Sequence, residues 1–125
     1  MLNVQIQYQS NKSIYQQLYD QIASQIINRQ LEADSMLPSI RITAKEFRVS
    51  VITVKKAWEM LERNGLIYTV TGKGSFVKQI DSKTIEAVRS DSIEEELRGV
   101  IALAKQLGLT RNEFSSLVLR IFDEK

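Results

Sequence analysis

LPSIRITAKEFRVSVITVKKAWEMLERNGLIYTVTGKGSFV, residues 37–77, is the stretch around which the rest of the chain is organised. Leu37-Pro38-Ser39-Ile40-Arg41 opens a short helical run to Phe47, with Pro38 suited to the helix entry and Ser39 to its cap. Arg48-Val49-Ser50 follows, then a longer helical run to Asn64 that Gly65 stops. Leu66 to Val70 reads as a strand, Thr71-Gly72-Lys73-Gly74 as a tight turn and Ser75-Phe76-Val77 as the returning strand. Two helices joined by a tight turn and followed by a β-hairpin form the plan of a winged helix-turn-helix.

The longer helix carries the functional reading. Val54, Ala57, Trp58 and Leu61 recur at helical period and form one apolar stripe. Ile52, Lys56, Glu59 and Arg63 point away from it, with Thr53 and Lys55 on its flanks, and Ser50 caps the first turn. A helix buried on one side, with Ser, Thr and Lys at its N-terminal end, suits a DNA major groove. Taken alone, such a helix is equally well a solvated surface helix. Its setting decides: Arg41 stands in the first turn of the preceding helix, and a Gly-Lys-Gly turn follows, so three separate places can meet phosphate. The expected DNA-binding set is Ser39, Arg41, Ser50, Ile52, Thr53, Lys55, Lys56, Thr71, Gly72 and Lys73, with Ile52 facing a thymine methyl.

Leu37-Pro38-Ser39-x-Arg41, Val49-Ser50-x-x-Thr53-Val54, Ala57-Trp58-x-x-Leu61, Gly65-Leu66-Ile67 and Gly72-x-Gly74-x-Phe76-Val77 together resemble the signature of GntR-family transcription regulators. With Ile14-Tyr15-x-Gln17-Leu18 upstream, the match covers residues 13–78, and that many ordered elements make it specific. The remainder resembles the YtrA subfamily, whose C-terminal part is a small helical dimerisation element. The resemblance implies a homodimeric repressor of an operon, such as one encoding an ABC transporter, without a large effector domain. The chain departs from the family pattern at four places. Ala33-Asp34 stands for the usual Pro-Gly, Thr43 for a leucine, Arg48 for a glycine, and Val51 for an arginine expected to touch DNA.

Working outward, charge separates the chain into parts. Its 125 residues carry a net charge of +2, but residues 37–78 hold +5, against −1 for residues 1–36 and −2 for residues 79–125. Positive charge is gathered where phosphate binding requires it. A composition of 43% hydrophobic and 26% charged residues is that of a folded protein. The N-terminus is polar and glutamine-rich, and no apolar run approaches the ~20 residues of a membrane span, so a cytoplasmic location is expected.

Upstream, Val4, Ile6 and Tyr8 alternate with polar residues as in a short strand. Ser13 and Gln16 form a capping box for a helix reaching Asn28 or Arg29, with Tyr15, Leu18, Tyr19, Ile22 and Ile26 on one face. Downstream, a helix begins near Asp81 or Ser82 and runs to Leu107, either unbroken or interrupted at Ser90-Asp91-Ser92, where Ser92 and Glu95 offer a second capping box. Thr110 and Glu113 box the final helix.

The expected architecture is mainly α, in the α+β class: a winged helix-turn-helix over residues 1–78, then a short two-helix dimerisation region over residues 79–125. Leu97, Val100, Ile101, Ala104, Leu107, Phe114, Leu117, Val118 and Ile121 form more apolar surface than so short a segment closes into a core by itself. Packing against the winged domain is one outlet for that surface, and a two-fold homodimer is the other.

Without histidine or cysteine, the common zinc ligands and the Ser-His and Cys-His routes to catalysis are missing. The chain is therefore read as a non-enzyme needing no cofactor or metal, and no residue pattern in it designates a small-molecule effector. Its expected partner is double-stranded DNA carrying an inverted-repeat operator. The alternative is a winged-helix protein-interaction module that does not bind DNA.

Overall fold

A short polar side chain starts each helix of the computed structural model, which describes residues 2–125. The elements are α1 (Ile14–Ile27), α2 (Ile40–Phe47), α3 (Val51–Arg63), β1 (Ile67–Val70), β2 (Gly74–Val77), α4 (Ser82–Gln106) and α5 (Arg111–Phe122). Ser13, Ser39, Ser50 and Thr110 each accept a backbone N–H three residues on, and Asp81 does the same for Thr84 at the start of α4. At Ser13 only half of the expected box forms, because the Gln16 amide donates to Asp20 Oδ1 instead. The chain divides into two compact units, which meet inside α4 between Ile85 and Glu86.

In the first unit, α1 and α2 pack against α3. The stripe on α3 is its buried side: Val54, Ala57, Trp58 and Leu61 are all buried, together with Leu18 and Ile22 of α1 and with Leu66, Ile67 and Val77 of the hairpin. Each large aliphatic side chain so buried contributes about 1.5–3 kcal/mol to folding. The hairpin pairs antiparallel with Tyr68 opposite Phe76, and their rings stack at 5.5 Å. Its outer edge is covered. Leu37 N–H donates to Ser75 O at 2.8 Å, Val77 N–H to Ser35 O at 2.9 Å and Asp34 N–H to Val77 O at 2.7 Å, so the loop before α2 pairs with β2.

The expected strand at Val4, Ile6 and Tyr8 does not form. Of the alternating residues Val4 is buried, Ile6 half-buried and Tyr8 exposed, and the extended segment pairs with helix side chains instead of a strand. Gln17 and Gln21 each exchange two hydrogen bonds with backbone, at Gln7 and Gln5, and the Gln25 amide donates to Asn3 O. The match is metrical: four helical residues rise about 6 Å and two extended residues about 6.6 Å. Glutamines four apart therefore serve alternate residues of an arm running antiparallel to α1.

Three departures from the family pattern have structural counterparts. Asp34 and Arg48 both sit at positive φ, +67° and +55°, in the left-handed region where glycine is unstrained. Thr43 is 0% exposed, and its Oγ1 donates to Ser39 O at 2.9 Å, so the hydroxyl in the core is satisfied within α2. Arg48→Gly is expected to raise stability by about 0.5–1 kcal/mol by relieving the strain at the α2 C-cap. A urea melt that shows no gain, or a loss, would contradict this account of position 48.

In the second unit α4 runs on, and α5 follows a turn at Gly108, which sits at φ +82°. The break allowed for at Ser90-Asp91-Ser92 is absent, and Ser92 caps nothing. Serine and aspartate are only weak helix formers and do not interrupt a helix as proline does. Arg98 reaches back to Glu94 at 3.2 Å and Glu95 at 4.0 Å. The Thr110–Glu113 box is complete, and the Thr110 amide donating to Glu113 holds that carboxyl below its usual range. Of the side chains read from sequence as an interface, Ala104 is buried within the chain, whereas Ile101, Phe114 and Leu117 are half-buried. Leu97, Val100, Leu107, Val118 and Ile121 are exposed, as are Leu103, Leu119 and Phe122, and α5 has no buried residue. Among the described residues no helix is long and apolar enough to cross a membrane.

Candidate nucleic-acid interface

Three elements of the first unit border one open cleft of about 450 Å³: Ile40 at the start of α2, Lys55, Glu59 and Glu62 on the outer side of α3, and Thr69 and Ser75 on the hairpin. The α2 entry, the α3 face and the wing are thus held around a common space by the core beneath them. Arg41 lies next to Ile40 in the first turn of α2, exposed and free of any carboxylate partner among the described residues. Lys55 and Lys73 are likewise exposed and unpaired. Such cations stay hydrated until an anion arrives, and they carry no internal ion pair that binding must break.

At the tip of α3 the polar groups are partly committed to the fold. Ser50 Oγ accepts the Thr53 amide at 3.1 Å and lies 2.8 Å from Thr53 Oγ1. Ser39 Oγ accepts the Ile42 amide at 3.1 Å in the same capping role. Between the two hydroxyls of the α3 tip, Val51 and Ile52 project outward, 47% and 77% exposed.

The two lysines of α3 have different surroundings. Lys55 borders the cleft, while Lys56 places its ammonium 4.0 Å from the centre of the Tyr15 ring on α1, a cation–π contact. No sequence spacing marks that pair, because only the packing of α1 on α3 brings residues 15 and 56 together. Sequence reading also missed the hydrogen bond from Tyr8 Oη to Phe47 O at 2.6 Å, which ties the N-terminal arm to the end of α2 just before the helix-turn-helix turn. Val51, read from sequence as standing for an arginine, is exposed beside Ile52.

The wing tip consists of Thr71, Gly72 and Lys73, all exposed. Gly72 sits at φ +80° with no atom within 4 Å of where a Cβ would stand. The Lys73 amide closes the turn on Val70 O at 2.9 Å, leaving its side chain at the outermost point of the hairpin. Behind the turn, Gly74 sits at φ +132°, and a Cβ there would stand 3.6 Å from the Met36 sulfur. The tip is a fixed backbone turn carrying one free cation, a shape able to follow a phosphate backbone or enter a minor groove.

Residues 14–77 match the model of the bacterial regulatory proteins of the gntR family, the span that holds α1, the helix-turn-helix and the wing. The regulator YhcF of Bacillus subtilis is 32% identical over 107 residues, covering 86% of this chain and 88% of that protein. The repressor YtrA of the same organism is 29% identical over 106 residues, covering 85% and 82%. A GntR family transcriptional regulator from Listeria monocytogenes superposes with a TM-score of 0.70 at 27% identity, over 90% of this chain and 98% of that one. AraR(DBD) in complex with an operator aligns at a TM-score of 0.52 and 30% identity, over 59% of this chain and 95% of that one.

Proposed function

The chain belongs to the gntR family of bacterial regulatory proteins, and from that premise we propose that it is a homodimeric repressor acting on an inverted-repeat operator. Regulation of transcription through DNA is the family's function, and the chain is no enzyme. The observation that supports the finer reading is the cleft bordered by the α2 entry, α3 and the hairpin, with Lys55 on its wall, and the exposed, unpaired Arg41 and Lys73 carried by the same α2 and hairpin. In the proposed complex α3 enters the major groove by its N-terminal end, and Ser50, Ile52, Thr53 and Lys55 meet base edges or phosphates. Arg41 and the Ser39 end of α2 hold the backbone on one side, and Thr71, Gly72 and Lys73 hold it on the other. Lys56 reaches phosphate only by sharing or leaving the Tyr15 ring, so its contribution is the smaller of the two lysines.

The relatives support repression through an operator. YtrA is a repressor similar along most of this chain's length, and AraR(DBD) is bound to an operator. The proposed target is an operon such as one encoding an ABC transporter, and the proposed place of action is the cytoplasm, where such DNA lies. The test is a titration of a random-sequence duplex with rising salt. Log affinity should fall linearly with log salt, by about 0.9 for each phosphate neutralised. No binding to the duplex even at low salt would instead point to a protein-interaction module.

Lys73→Ala separates the wing from the groove-reading helix. On the reading that its ammonium meets phosphate, the substitution should weaken specific and random DNA alike and lower the salt slope by about 1. A slope equal to the parent's would take the wing out of the interface.

A further inference from the structure

The tip of α3 has little left with which to hydrogen-bond a base. Ser50 and Thr53 share two hydroxyl hydrogens, one of which is used between them, and Ser50 Oγ already accepts the Thr53 amide. The remaining outward surface of the first turn is aliphatic, Val51 and Ile52, two adjacent β-branched side chains with few rotamers to lose. In a monomeric surface an exposed isoleucine at a helix tip needs no explanation. Two aliphatic residues between capping hydroxyls, at the end proposed to lead into the groove, do need one. The major groove offers them a single apolar feature, the C5-methyl of thymine.

Resting on the DNA-binding reading above, we infer that Val51 and Ile52 form an apolar wedge that selects operators by thymine C5-methyl groups. Val51 is then a specificity-determining residue in its own right. The wedge discriminates by contact area, so the base it prefers is recognised by a methyl group and not by a donor–acceptor pattern. The same surface would accept 5-methylcytosine on an otherwise matching pair, since that base carries its methyl at the equivalent place.

The test uses the full chain and the operator it selects from a random duplex pool. Each thymine of one half-site is replaced in turn by uracil, which removes the methyl and leaves every hydrogen-bonding group. At one or two positions the replacement should weaken binding about three- to tenfold, the scale of one buried methyl. In Ile52→Ala, and to a smaller degree in Val51→Ala, thymine and uracil at those positions should bind within about twofold of each other. Both side chains lie on the surface and alanine favours the helix, so circular dichroism should match the parent. Uracil tolerated at every position overturns the wedge while leaving DNA binding intact. Full methyl discrimination retained by both variants overturns it as well. Failure to enrich any operator overturns the DNA-binding reading itself, and the wedge with it.

Discussion

Val118→Glu is expected to convert the protein to monomers at micromolar concentration and to cost about 10²–10⁴-fold in operator affinity, while weak binding to random DNA persists. The second unit has 40 residues, from Glu86 to Lys125, and α5 buries none of its side chains fully in the single chain. Leu97, Val100, Leu107, Val118 and Ile121 are all exposed, with Leu107 at 73%. The proposed two-fold contact would bury this exposed apolar surface and add stability to so small a unit. Val118 is 42% exposed, so a carboxylate there stays hydrated and leaves α5 intact but cannot be desolvated cheaply against a second copy. Half-buried Leu117 would confuse loss of folding with loss of pairing. The loss in affinity follows because two recognition helices joined in one dimer bind the second half-site intramolecularly. A dimer that survives the substitution with its affinity unchanged would place the interface elsewhere.

Arg41→Ala should lower operator affinity by about 1–3 kcal/mol, or roughly five- to 150-fold, through loss of a charge-assisted contact. Its side chain stands in the first turn of α2, exposed and unpaired, beside Ile40 at the edge of the cleft. The helix does not depend on it: Ser39 still caps the first turn, and Thr43 still bonds back to Ser39 O. Folding stability should therefore stay within about 0.5 kcal/mol of the parent. Arg41→Lys tells the kind of contact. A lysine restores the charge but not a planar, bidentate fork, so it should recover random-DNA binding and leave part of the specific loss. Operator binding by Arg41→Ala at the parent's affinity would remove residue 41 from the interface.

Much of this was legible because the winged region combines local signals with one unambiguous periodicity. The stripe Val54, Ala57, Trp58 and Leu61, the caps at Ser39 and Ser50, and the stop at Gly65 are each set by neighbouring residues, and all four stripe positions are buried. The N-terminal arm misled because alternation reports an extended chain without naming its partner. At Gln17, Gln21 and Gln25 the partner is a row of side-chain amides, which no strand pattern encodes. The continuity of α4 was open because Ser90, Asp91 and Ser92 favour both caps and, more weakly, helices. The pairing of Lys56 with Tyr15 depends on packing between residues 41 positions apart, which local reading does not reach. Of the apolar C-terminal positions, sequence reading could not tell Ala104, buried within its own chain, from Leu107, exposed beyond it.

The most direct test of a two-fold, DNA-reading repressor is selection of bound sequences from a random duplex pool by the full chain, followed by sequencing. The account predicts one enriched inverted repeat whose half-site centres lie about 10 bp apart or a multiple of that, so that both α3 helices meet the same face of the duplex. A single asymmetric motif, or no enrichment above the starting pool, would contradict it.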